Sequence, residues 1–270
     1  MTVLIVLLGL LISHLVFPRV RWRQFDWLLR PIHQVRIRSQ QRPWMVAAAV
    51  LLAALLAALA LTWLATALLG RFGWFIAALA VFVYTLGPRD LDRDVQALKE
   101  GGSGTRFLKA RRNMRIRTDA GPVESAAAVF HAAQARWFGI LFWFVLLGIP
   151  GALLYRLTRI ALHEPGMSPA QADWLMRLRD VLDWPVLVLM LLSAAMGGDY
   201  DRVRAAWQAD RTERRGGMLR GAVLDAVAAA ITDPDARFED GVILGHRMVW
   251  RMLLIWLVVL SLLLMAGWLA

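Results

Sequence analysis

The stretch PWMVAAAVLLAALLAALALTWLATALL, Pro43 to Leu69, decides the fold. It carries no charge, opens on a proline suited to a first helical position, and is built mostly of Leu and Ala, so it reads as a helix. At 1.5 Å per residue it is long enough to cross the roughly 30 Å of hydrocarbon in a bilayer. Gly70-Arg71 follows, and then a second uncharged run, Phe72–Gly87. Two apolar helices joined by so short a link predict a tight helical hairpin.

Outward from this hairpin lie four further apolar runs: Met1–Phe17, Trp137–Arg156, Val181–Gly197 and Met248–Ala270. Met1–Phe17, Phe72–Gly87 and Val181–Gly197 sit at or just below the usual span of ~17–25 residues, so the expected number of crossings is four to six. Met1–Phe17 lacks a positive leader and a small-residue cleavage site, and Pro18-Arg19-Val20-Arg21 follows it. It reads as an uncleaved first anchor. Hydrophobic residues make up 59% of the chain and the mean hydropathy is +0.53, above the range of soluble domains. With no cysteine, disulfides and thiolate metal sites are excluded.

The net charge of +11 does not point to nucleic acid, because the arginines sit between the apolar runs. That placement fits membrane topology and contact with anionic lipid headgroups. Segments 18–43, 88–136 and 198–247 hold seven, ten and eight basic residues, against five on the opposite side: Arg71, Arg156, Arg159, Arg177 and Arg179. By the positive-inside rule the three basic segments are cytoplasmic, the membrane is a bacterial-type inner membrane, and six crossings put both termini in the periplasm. Arg251, in the last run, is expected to snorkel toward the headgroups. Trp22, Trp27, Trp44, Trp137, Trp184, Trp250 and Trp268 fall near segment ends, as interfacial rings do, while Trp63 and Trp143 are expected in helix packing.

The cytoplasmic segments read as surface helices. Leu91, Val95 and Leu98 form an apolar stripe over Asp90–Leu98, and a glycine-rich break at Gly101-Gly102-Ser103-Gly104 follows. Phe107–Ile116 mixes apolar and basic residues in the manner of a helix on a membrane surface. Glu124–Gln134 is Ala-rich and runs toward the fourth span. Asp199–Arg215 is amphipathic, and Gly217–Ile231 reads as a short buried helix stopped by Thr232-Asp233-Pro234. The expected architecture is one all-α domain, residues 1–270: a polytopic membrane helix bundle with amphipathic cytoplasmic helices at 88–136 and 198–247. The small-residue run Ala53–Ala60 permits close helix packing, within the chain or with a membrane-protein partner.

Chemistry-bearing motifs are sparse. There is no P-loop, no HExxH and no GxSxG, and none of His14, His33, His131, His163 and His246 has metal-ligand spacing. No catalytic residue, metal site or cofactor is expected. His14, inside the first run, is expected to be neutral and hydrogen-bonded. The cluster Arg89-Asp90-Leu91-Asp92-Arg93-Asp94 admits two readings: carboxylates holding Mg²⁺ and a phosphate, or acids in the first turn of a helix. Arg156 either pairs with an acid or phosphate or snorkels. Asp183, ahead of Trp184-Pro185, reads as a helix N-cap.

Several of these segments together resemble the AmpE family: Gly87-Pro88-Arg89-Asp90-Leu91-Asp92-Arg93-Asp94; Trp137-Phe138 with Phe142-Trp143; Gly148-Ile149-Pro150-Gly151-Ala152-Leu153-Leu154-Tyr155-Arg156-Leu157; Val181-Leu182-Asp183-Trp184-Pro185; and Gly198-Asp199-Tyr200 with Trp207. The resemblance implies an inner-membrane protein associated with regulation of inducible β-lactamase and with cell-wall recycling. That family is in turn similar to the adenosylcobinamide-phosphate synthases (CobD/CbiB), whose Gly-Arg-Asp, Glu-Ser and Gly-Ala-x-x-Tyr-Arg motifs look like Arg89-Asp90, Glu124-Ser125 and Gly151–Arg156 here. The synthase motif Asn-Thr-x-Asp is replaced by Thr158-Arg159-Ile160-Ala161, its Glu-x-x-x-Glu-Asn is reduced to Glu124, its Ser-Pro-Asn-Ala-Gly has no counterpart in 205–220, and its His-Pro-Val is absent, with Arg30-Pro31-Ile32-His33 at best a remnant. Losing those carboxylates and asparagines removes most of what would position metal and phosphate. The expectation is a non-enzymatic accessory or signalling protein; the alternatives are a membrane enzyme of the synthase type and, behind it, a transporter. Arg89, Asp90, Glu124, Tyr155 and Arg156 are expected to form a polar cluster. Six crossings, however, separate Arg156 from Asp90 unless the fourth segment is re-entrant.

Overall fold

The structure, a computed structural model, describes residues 2–15, 33–37, 41–86, 91–102, 104–198, 200–213 and 220–266. Most of the basic segment 18–43, the side chain of His14 and the pair Arg89-Asp90 lie outside the described residues. Among the described residues the regular elements are all helices: α1 (Thr2–Leu15), α2 (Trp44–Thr85), α3 (Leu91–Lys99), α4 (Thr105–Met114), α5 (Pro122–Ala133), a π-helical turn (Gln134–Phe138), α6 (Gly139–Leu147), α7 (Ile149–Ala161), α8 (Pro169–Gly197), α9 (Tyr200–Glu213), α10 (Ala222–Ile231) and α11 (Phe238–Met265). Four stretches are long and apolar enough to cross a membrane: Trp44–Thr85, Pro122–Leu147, Pro169–Gly197 and Phe238–Leu263. Leu52, Leu55, Leu56, Leu59, Leu68, Leu254, Val258 and Leu262 stand exposed along two of them. In water such patches would be an aggregation hazard; in lipid they are the solvated face. The protein is a polytopic α-helical membrane protein.

The chain divides into two compact units. One takes its described residues from 1–88, 139–182 and 263–270. Two glycine elbows shape it. Gly70 (φ 60°, ψ −142°) breaks α2, and Gly148 (φ 67°, ψ −142°) separates α6 from α7. A residue with a β-carbon adopts this conformation only at a cost of order 1–3 kcal/mol. Three residues on, Gly73 and Gly151 lie so close to the carbonyl oxygens of Ala65 and Trp143 that a β-carbon would overlap them. Residues eight apart would be about 12 Å apart in a continuous helix. Their contact means that the chain folds back at both elbows, as the sequence predicts for Gly70-Arg71. The first limb of α2 buries a small-residue stripe of Val46, Val50, Ala54 and Ala58. The principal neighbour of α2 as a whole is α7. Gly9 of α1 lies against the Phe82 ring, which also meets Phe144 at 4.7 Å.

The other unit takes its described residues from 89–138 and 183–262. α5 is its spine. Gly241 and Gly245, one turn apart on α11, press against Pro122, Ser125 and Ala126 of α5, and the Ser125 hydroxyl donates to the carbonyl of Phe238 at 2.9 Å. Small residues at this spacing let two helix backbones approach closely. Further along, Trp256 Nε1 donates to Ser193 Oγ at 2.8 Å, a hydrogen bond between apolar spans. α10 packs on α5 and α9 through buried Val223, Leu224, Val227 and Ala228.

Three expectations are corrected. The fourth span does not run Trp137–Arg156; it runs Pro122–Leu147, because Gly148 ends it and Pro150 starts a new helix. Tyr155 and Arg156 therefore sit on a returning helix. The helix that carries the last span, α11, begins at Phe238 rather than Met248. Asp183 is no N-cap, since α8 passes through Pro185 without ending. Pro185 has no N–H for the carbonyl one turn before it, and Trp143 Nε1 donates to the neighbouring carbonyl of Leu182 at 3.0 Å.

The returning helix brings the Tyr155 ring onto Gly139, where a β-carbon would collide with it. Gly139→Ala is expected to cost about 1–3 kcal/mol by overpacking, read as a lower thermal midpoint in detergent. Adding Tyr155→Leu should recover part of the loss. An unchanged midpoint for Gly139→Ala would refute this packing.

Candidate functional site

α3 is a nine-residue amphipathic helix. Leu91, Val95 and Leu98 are fully buried, and this stripe fixes which way the flanks point. One flank carries Asp92 and Lys99, two turns apart; the other carries Asp94. Each flank is tied to a different part of the second unit.

On the first flank, His246 of α11 lies between the two charges. Its Nε2 is 2.6 Å from Asp92 Oδ1 and its Nδ1 is 3.4 Å from Lys99 Nζ. These contacts fit the tautomer in which Nε2–H donates to the carboxylate and Nδ1 accepts from the ammonium. Trp250, one turn beyond His246, donates Nε1 to the same Asp92 oxygen at 3.2 Å. Its ring meets Trp137 edge-on at 5.7 Å. The imidazole and carboxylate are largely sheltered, with side chains 17% and 20% exposed.

On the second flank, Asp94 accepts from Arg136 Nη1 at 2.8 Å and from Asn113 Nδ2 at 3.0 Å. Arg136 Nη2 also donates to the carbonyl of Asn113 at 3.3 Å. Arg136 sits in the π-helical turn, the one irregular stretch of the span Pro122–Leu147. π-turns are frequent at functional positions. Both side chains of this ion pair are nearly buried, 9% and 13% exposed. Desolvation of such a pair is offset only when the remaining polar atoms are also bonded, and Asn113 supplies those bonds from α4.

Of the two readings of the acidic cluster, the structure shows acids in a first turn: Asp92 and Asp94 open α3. They also bind a histidine and an arginine far away in sequence. Among the described residues no three His, Asp or Glu side chains gather as a metal site. Arg89 and Asp90 lie outside the described residues. Glu124 is exposed and accepts from the Gly121 N–H at 2.9 Å, the reciprocal half of a capping box at the start of α5. Tyr155 is buried and its hydroxyl accepts from Arg159 Nη2 at 2.8 Å. Arg156, half-buried, follows it on α7. Tyr155 and Arg159 are brought together, while Glu124 is engaged at its own helix start.

The sequence reading missed the roles of His246, Lys99, Arg136 and Asn113. The available signal was Arg136 itself, a charge one residue ahead of an apolar run and inside what is one continuous span. Outside the spans, hydrogen bonds from Arg117 Nε and Nη2 at 3.0 and 2.7 Å hold the Asp119 carboxyl below its usual range. That exposed pair clasps the connection between α4 and α5.

The helices and this site define a class, a polytopic membrane protein with short polar helices strapped to its spans. Comparison adds no relative: no protein family matches the sequence, no curated protein matches it, and no solved structure matches the fold.

Truncating one partner of a buried ion pair typically costs 3–5 kcal/mol. Asp94→Ala and Arg136→Ala are each expected to lower stability strongly. The double variant should lose much less than the sum, with a coupling of about 1–3 kcal/mol in a detergent unfolding cycle. Additive losses would show that the pair does not interact.

Proposed function

We propose that this chain is a non-enzymatic accessory or signalling protein of a bacterial inner membrane, of the AmpE type, acting in regulation of inducible β-lactamase and in cell-wall recycling. The observation that supports this reading is the double strap on α3: Asp92 to His246 and Trp250 on α11, and Asp94 to Arg136 and Asn113. Its charged groups are spent on one another, between short helices and membrane spans. Such an arrangement suits transmission of a displacement better than capture of a substrate. A change that pulled α3 from α11 would break charge-assisted bonds on the scale of the 1–3 kcal/mol typical of coupling between sites. The exposed Arg106, Lys109 and Arg112 of α4 suit anionic headgroups at the cytoplasmic surface, and the signal passes on to a membrane-protein partner.

The test uses a host with an inducible β-lactamase. Deleting this gene is expected to alter induction by a β-lactam, the wild-type chain to restore it, and His246→Ala at equal membrane abundance to restore it at least several-fold less well. Unaltered induction on deletion overturns the signalling role. Cobalamin-dependent growth of a strain lacking adenosylcobinamide-phosphate synthase, rescued by this chain, overturns the non-enzymatic one.

A further inference from the structure

A second polar feature of α11 takes no part in the α3 straps. Gly198, Arg202, Ile231, Leu244, Arg247, Met248 and Arg251 line a cavity of about 330 Å³ within the second unit. That volume is at the small end of ligand-sized sites. Among these residues the charged ones are all arginines. Arg247 and Arg251 stand one turn apart on the same face of α11, and Arg202 faces the cavity from α9. Guanidinium forks match phosphate oxygens in geometry as well as in charge. The floor is of a different kind: Ile231, Leu244 and Met248 are apolar, and Gly198 lies directly on the Met248 side chain.

The level of the site follows from the two helices. α8 ends its apolar run at Gly197, and Arg251 Nη1 donates to the Gly197 carbonyl oxygen at 3.1 Å. α11 turns from charged to uncharged and almost wholly apolar immediately after Arg251, with Met252, Leu253, Leu254 and Ile255 following. Both changes occur where a span passes from headgroups into hydrocarbon.

We infer that Arg202, Arg247 and Arg251 form a binding site for a phosphate-bearing group, above an apolar floor, at the headgroup level of the membrane. The inference does not depend on the signalling role proposed above. Two sources supply that chemistry: the phosphodiester of an anionic phospholipid, and a soluble phosphate.

The full chain in a neutral maltoside detergent separates them. Native mass spectrometry reads retention of phosphatidylglycerol against phosphatidylcholine; isothermal calorimetry reads inorganic phosphate. Arg247→Gln/Arg251→Gln is expected to weaken the bound ligand at least about tenfold, the scale of a lost charge-assisted hydrogen bond. Arg177→Gln/Arg237→Gln, two exposed arginines outside the cavity lining and equal in charge removed, should leave binding unchanged. Because Arg251 also holds the end of α8, Leu244→Trp serves as a second variant that fills the floor and keeps every charge. It too should weaken binding. Loss of selective phosphatidylglycerol retention assigns the site to lipid; loss of phosphate heat with lipid retention unmoved assigns it to a soluble phosphate. If the wild type binds neither selectively, or if the Arg177 and Arg237 control loses as much as the Arg247 and Arg251 variant, the site does not exist.

Discussion

A peptide group in hydrocarbon has no water to bond, so a chain crosses it as helices that pair their own backbone groups. The two elbows join such helices in the same way. Gly70 and Gly148 share nearly one backbone conformation, and Gly73 and Gly151, three residues later, let the returning limb sit on the carbonyl of a residue eight positions back. The second elbow also decides where chemistry can gather. It returns Tyr155 onto Gly139, a placement that a simple crossing of Trp137–Arg156 forbids, while the Tyr155 hydroxyl bonds Arg159 one turn along the same helix.

The same constraint governs the polar side chains. A charge inside a span is costly without partners, and the second unit supplies them in two sets that share α3. Leu91, Val95 and Leu98 anchor the helix; Asp92 and Asp94, on either side of that stripe, reach α11 and the π-turn. The π-turn turns Arg136 toward Asp94 while the span continues on both sides. The irregularity and the ion pair therefore support each other.

Much of the fold was legible because lipid imposes a length and a composition on each span. The run Pro43–Leu69, the reversal at Gly70-Arg71 and the stripe Leu91, Val95, Leu98 follow from local pattern alone. The boundaries were less legible. Pro185 looks like a helix start, yet α8 runs through it, and the Trp143 indole bonds the nearby Leu182 carbonyl, a tertiary contact with no local signature. Pro150, read as span interior, is the start that matters, because Gly148 precedes it in a left-handed conformation. The polar site was the least legible part. Asp92 and His246 are 154 residues apart, and nothing near either one names the other. The family resemblance drew attention to Glu124, whose observed bond caps its own helix.

α11 shows how one helix serves three surfaces. Gly241, Gly245 and Val249 recur every four residues on the buried face, where the first two meet α5. His246 and Trp250, one position on from that row, turn to Asp92. Arg247 and Arg251, one position further, turn to the arginine-lined cavity. Each step along the chain rotates the helix by about 100°, so three rows with the same four-residue spacing face three directions. The close approach that the glycines allow brings the His246 row within reach of a helix as short as α3. It also fixes the direction of the Arg247 row, since a helix held on one face cannot turn another without moving the first. A group that draws Arg247 and Arg251 toward itself therefore acts on the same rigid element that holds Asp92. The phosphate-bearing site and the α3 strap are mechanically joined through α11, even though they share no side chain.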